Sequence, residues 1–224
     1  MPALPQHPAH EDLRRRWAAT VTAATGHAPD ASSPGPDRYA DELLRRWAEP
    51  QRRYHTTDHL VAVLDRVDTL AEYADDVHLV RLAAWFHDAV YLPERSTNEE
   101  RSARLAERAL TELGVDRART DEVSRLVLLT RTHAAGDDDA NGKVLCDADL
   151  AILASPPDGY ERYAAAVREE YGFVPDDAYR AGRTEVLRRL LGLPGLFRTP
   201  YGQRRWEEPA RRNMTGELER LRKS

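Results

Sequence analysis

From about Asp58 to Ala71, apolar side chains recur at three- and four-residue steps through Leu60, Val63, Leu64, Val67 and Leu70, the stripe of an amphipathic helix of roughly four turns. The next segment, Val77 to Val90, is apolar nearly all round, with Leu79, Val80, Leu82, Ala83, Ala84, Trp85 and Phe86. It reads as a central, buried helix carrying His87 and Asp88 near its end, before Pro93. The same spacing predicts helices over Glu11 to Ala24, from a capping Asp37 through Trp47 towards Pro50, and from Thr97 to Gly114. Further helices are expected over Asp121 to about Thr132, Val144 to Ala154, Tyr160 to Tyr171, Asp177 to Leu191 and Glu207 to Leu221. Thr97, followed three residues later by Glu100, has the spacing of a capping box. Gly26 to Pro36, rich in proline, glycine and serine, reads as a loop. No run alternates with period two, so the expectation is an all-α fold. It should be one helical domain over residues 1–224, with 1–36 as an N-terminal helix and loop.

At 224 residues such a domain can bury a substantial core. A net charge of −5 provides no basic field, so nucleic acid is not an expected partner. No stretch approaches the roughly 20 apolar residues of a membrane helix, and the N-terminus lacks the apolar run of a signal peptide. These features predict a soluble, unprocessed, cytoplasmic protein with no membrane partner. The single cysteine, Cys146, excludes an internal disulfide and, in the run Val144-Leu145-Cys146, is expected to pack. Arginine supplies nearly all the positive charge, so one arginine carries little signal. Arg131 and Arg168 are phosphate-clamp candidates, although with so many arginines a solvated surface position is the favoured reading of each. Oligomeric state is not legible.

The chemistry lies where ionisable groups interrupt apolar pattern. His87 and Asp88 adjoin inside Ala84-Trp85-Phe86-His87-Asp88-Ala89-Val90, and burying both without partners would cost several kcal/mol. A divalent metal ion is one of few partners suited to both imidazole and carboxylate. His55 and His59 are four apart, and on one face of a helix if both are helical. Asp147 and Asp149 stand in Leu145-Cys146-Asp147-Ala148-Asp149-Leu150, where they could bind metal, cap a helix or pair with arginine. Three separate segments thus carry ligand-type side chains where apolar residues are expected.

In that order, His59, then His87-Asp88, then Asp149 resembles the HD-domain superfamily of metal-dependent phosphohydrolases. More narrowly, the chain is similar to a bacterial branch of predicted HD phosphohydrolases through RRYHTTDHL, AAWFHDAVY, NEERSA, CDADLAIL, VREEY and ARRNMTGEL, which span roughly residues 38 to 220. The resemblance implies an HD-type helical bundle with His59, His87, Asp88 and Asp149 around a buried divalent ion. Asp149 has the terminal-aspartate setting, and Asp147 is the alternative ligand or an orienting group. YHTTDHL is also similar to the first metal motif of cyclic-nucleotide phosphodiesterases, which makes His55 the general-acid candidate. Asp149 or Asp88 would position the attacking water. Asn98 and Glu99 could hydrogen-bond a ligand histidine or that water, or simply start a helix. His133 matches a position where the branch tends to place a histidine, and extra histidines in some relatives bind a second metal.

The resemblance implies a hydrolase of small phosphate esters, a nucleotide monophosphate for example, working with one or two ions of manganese, magnesium, nickel, iron or zinc. Two rivals stay open at this point: an HD-fold di-iron oxygenase, which His133 would serve, and a non-catalytic metal- or ligand-binding regulator.

Overall fold

The computed structural model describes residues 7–26 and 35–223, so the loop expected over 26–36 lies largely outside the described residues. Among these residues the chain is all-helical and contains no strand. The elements are α1 (His10–Thr25), α2 (Pro36–Trp47), α3 (Thr57–Thr69), α4 (Val77–Phe86), α5 (Asn98–Glu112) and α6 (Arg117–Leu129). They continue with α7 (Ala140–Leu150), α8 (Pro157–Glu170), α9 (Asp176–Leu191), α10 (Pro200–Arg205) and α11 (Glu207–Lys223). Short 3-10 turns occupy Ala71–Tyr73 and Ala151–Ala154.

The apolar pattern of α4 has the consequence expected of it. Leu79, Val80 and Leu82 to Phe86 are all buried, and the helix packs against α1, α3, α5, α6 and α7. Trp85 and Phe86 meet the edge of Trp17 at ring-centroid separations of 5.3 and 5.8 Å, a favoured aromatic geometry. One apolar cluster runs through α1 to α7, and a second joins the Ala151–Ala154 turn to α8, α9 and α11 around Tyr160, Phe197, Met214 and Leu187. Trp206 touches both clusters. Cys146 is buried and unpaired by disulfide, as its apolar run predicts.

Several boundaries differ from the sequence expectation. The helix expected to reach Val90 ends at Phe86, so His87 and Asp88 lie in the turn beyond it. The cause is remote in sequence: the buried Arg52 side chain donates to the carbonyl oxygens of Asp88 (2.9 Å) and Ala89 (3.3 Å). It thereby satisfies acceptors that a continuing helix would otherwise have used. Helix α6 begins a turn early because Asp116 accepts from the Arg119 amide at 3.0 Å. Thr97 makes no side-chain cap bond, so the expected capping box does not form. Asp37 is not a cap either: Gly35 precedes Pro36 at the first helical position, and Asp37 falls within the first turn. Pro200–Arg205 was not expected as a helix, and Thr199 opens it by accepting from the Gly202 amide at 3.0 Å.

Candidate metal centre

His59 projects from the first turn of α3, His87 from the turn after α4, and Asp149 from the last turn of α7. Their Nε2, Nε2 and carboxylate oxygen atoms all lie within 4.8 Å of one another. His59 Nε2 is 3.2 Å from His87 Nε2 and 3.2 Å from Asp149 Oδ1, and His87 Nε2 is 3.8 Å from Asp149 Oδ1. Donors held ~2.0–2.2 Å from one ion stand about 3–3.6 Å apart; two of the three separations fall in that range and the third is slightly wider, so the trio could hold a single cation. The protons agree. His87 Nδ1 is 2.8 Å from the Ala84 carbonyl oxygen, which can only accept, so Nδ1 carries the hydrogen and Nε2 presents a lone pair to the cluster. Of the three, only His59 can bring a hydrogen into the space between them, whereas a cation there would serve all three. Two imidazoles and a carboxylate suit a transition ion better than magnesium or calcium, which favour oxygen donors throughout.

Asp88 stands at the rim of this trio, with Oδ2 3.4 Å from His87 Nε2 and 3.7 Å from His55 Nε2. His133 approaches from the other side, its Nε2 2.7 Å from Asp149 Oδ2. It does so from a left-handed backbone at φ 53°, unusual for a residue with a Cβ, just beyond the end of α6. Burial pushes the Asp149 carboxyl up, but hydrogen bonds from His133 and His59 outweigh it and hold the group well below the usual carboxylate range. Burial pushes the His59 imidazole down, and Asp149 offsets only part of that, so His59 stays neutral as a ligand must.

Asp147 belongs elsewhere. At 3.6 residues per turn, positions 147 and 149 point about 200° apart, so one helix cannot aim both carboxylates at one ion. The fully buried Asp147 instead accepts from the Arg198 amide (2.8 Å), the Thr199 amide (2.8 Å) and the Thr199 hydroxyl (2.7 Å), pinning the segment that leads into α10. Burial pushes its carboxyl up despite these donors.

His55 is not helical, so the condition for sharing a helix face with His59 is not met: it lies in the turn before α3 and is fixed from outside. The fully buried Glu170 side chain accepts the amides of Arg53 (2.8 Å), Tyr54 (2.9 Å) and His55 (2.9 Å) on Oε1. Its Oε2 lies 2.7 Å from His55 Nδ1 and accepts from the Tyr91 hydroxyl at 3.2 Å. Nδ1–H therefore points to Glu170 and Nε2 faces Asp88. Burial alone would depress the His55 imidazole, yet Asp88 and Glu170 outweigh it and raise its pKa, so the protonated form is favoured. Glu170 itself opposes its burial with these bonds and is held at about 2. Arg52 completes the frame by donating to the His55 carbonyl at 2.9 Å as well as to Asp88, tying the two turns together. Glu170 and Arg52 escaped the sequence reading as site residues, although both lie in the segments VREEY and RRYHTTDHL.

The remaining candidates are structural where their contacts are seen. Asn98 bonds the Leu92 amide and the carbonyls of Leu92 and Arg95, closing the 92–98 loop and leaving His59 and His87 alone. Arg131 pairs with Glu100 on the surface at 2.9 Å. Arg168 holds the carbonyls of Tyr171 and Val174 and the Asp176 carboxylate, so it clamps a loop and is not free for phosphate. Glu99 is half-buried at the start of α5.

Two cavities flank the site on either side of Tyr54 and Tyr163. One, of about 470 Å³, includes His55 in its wall; the other, of about 570 Å³, includes His59 together with Arg53, Arg66 and Arg162.

Compared with family models, curated proteins and solved structures, the chain matches none. No helix of the described residues is long and apolar enough to cross a membrane.

Proposed function

We propose that this chain is an HD-type, metal-dependent phosphohydrolase acting on a small phosphate monoester such as a nucleotide. The observation that carries the reading is the pairing of two devices: donor atoms of His59, His87 and Asp149 within 4.8 Å of one another, and beside them a histidine oriented by a buried carboxylate. A divalent ion bound among those donors supplies Lewis acidity, lowering the pKa of a coordinated water towards about 7 and offsetting charge on phosphoryl oxygens. His59, His87 and Asp149 would hold it, with Asp88 as a fourth donor. Asp88, 3.7 Å from His55 Nε2, orients the water by accepting one of its hydrogens. His55, protonated and held by Glu170, donates from Nε2 to the oxygen of the departing alcohol. Arg52 keeps the acid and Asp88 in register by bonding both turns.

A regulator that merely stored an ion would have no use for the His55–Glu170 pair, which favours turnover. The oxygenase reading rests on His133, which meets Asp149 and no other metal-capable group among the described contacts. The deciding experiment loads the protein with manganese, nickel, iron(II), zinc or magnesium and assays phosphate release from nucleotides, sugar phosphates and aryl phosphates. Release with at least one ion, lost in His87→Ala, is expected. No release with any ion, or dioxygen consumption by the iron-loaded sample, overturns the proposal.

A further inference from the structure

On the phosphohydrolase reading His55 adjoins the leaving oxygen, so the leaving group lies on the His55 side of the candidate metal centre. A cavity of about 470 Å³ with His55 in its wall lies between α8, α9 and the turn before α3, within the size range of small-molecule sites. Its walls are tyrosine faces, Tyr54, Tyr163, Tyr171 and Tyr179, with Val167 and Val186 between them. Tyr54 and Tyr163 meet edge to face at 4.7 Å, and Tyr54 stands the same way against His55 at 4.8 Å, so the aromatic wall runs up to the acid itself.

Charge is cancelled throughout this wall. Besides His55 its only ionic side chain is Arg183, whose guanidinium is bidentate to Glu217 at 2.8 and 3.0 Å, both partners being buried. A second phosphate or a carboxylate would find no free cation in this wall.

Resting on the phosphohydrolase reading, we propose that this cavity is the leaving-group subsite and that it selects phosphate esters whose leaving alcohol is uncharged and carries a planar aromatic group over esters with a second anionic group. Gly182 is the position at which the cavity can be filled by substitution. It lies mid-helix in α9 on the cavity wall, and a Cβ built there meets no atom within 4 Å, so a side chain at 182 enters open space. Because glycine is a poor helix former, larger residues at this position do not compromise the fold.

The test is binding of 1-naphthol, which needs no metal and no turnover, measured by calorimetry on the metal-free full chain. Saturable binding is expected, unchanged within about twofold in Gly182→Ala and weakened at least ~10-fold in Gly182→Phe. Val186→Trp, at the half-open rim, should weaken it as well. Absence of saturable binding, or equal affinity in Gly182→Phe, overturns the subsite. With metal-loaded protein, Gly182→Phe should raise KM for 1-naphthyl phosphate and leave KM for methyl phosphate unchanged; an equal rise for both overturns the assignment. Failure of every ester to react would refute the phosphohydrolase reading alone, since the naphthol result judges the cavity separately.

Discussion

Glu170→Gln is the sharpest perturbation of the frame around His55. Glutamine keeps the shape and one carbonyl acceptor but cannot hold the negative charge that now receives three backbone amides, an imidazole and a phenol. Placing the carboxyl at about 2 instead of its ordinary 4.5 corresponds to roughly 3 kcal/mol favouring the folded state at neutral pH. The folded pKa is the depressed one, so this contribution is present in full above pH ~5 and fades as pH falls towards 2. Urea titrations of wild type and variant should differ by ~3 kcal/mol at pH 7 and by about half that at pH 3. In a chain of this size the neutral-pH gap means a Tm lower by ~6–12 °C. The variant should bind metal normally and lose kcat, since His55 would no longer be held with Nε2 towards Asp88. A gap below ~1 kcal/mol at pH 7, or an equal gap at both pH values, would refute the assigned role.

His55→Ala should retain bound metal while kcat falls by ~10²–10⁴, the range of a lost general acid; loss of the metal would make His55 a ligand instead. Gly202→Ala should destabilise by ~1–3 kcal/mol in thermal melts, because its Cβ would stand 2.6 Å from Asp147 Oδ2 and 2.9 Å from Phe197 Cβ. That variant should hold metal as wild type does, since Asp147 faces away from the cluster, and a loss of metal would contradict that orientation.

How far the sequence reaches depends on the range of the interaction. The all-round apolar run of α4 was legible as the central helix because that pattern has no other stable use in a helical protein. The three segments that meet at the candidate metal centre were legible for the complementary reason, ionisable groups set where apolar ones belong. The end of α4 was not: propensity favours helix past Phe86, and the Arg52 side chain that closes it arrives from 36 residues away. Glu170 was hidden in the same way. In Val167-Arg168-Glu169-Glu170-Tyr171 it looks like one more charge on a solvated face, and only contact with His55, 115 residues distant, reveals it as buried. Between Asp147 and Asp149 the local pattern cannot discriminate. Helical geometry separates them once the Thr199 partner, 52 residues on, claims Asp147.

The central claim is that His59, His87 and Asp149 form one metal site, and elemental analysis of purified protein after loading and dialysis tests it most directly. Wild type should retain about one transition ion per chain, while His59→Ala, His87→Ala and Asp149→Asn retain none and Arg131→Ala retains it. A wild-type protein that holds no ion, or a His87→Ala variant with unchanged metal content, would contradict the account.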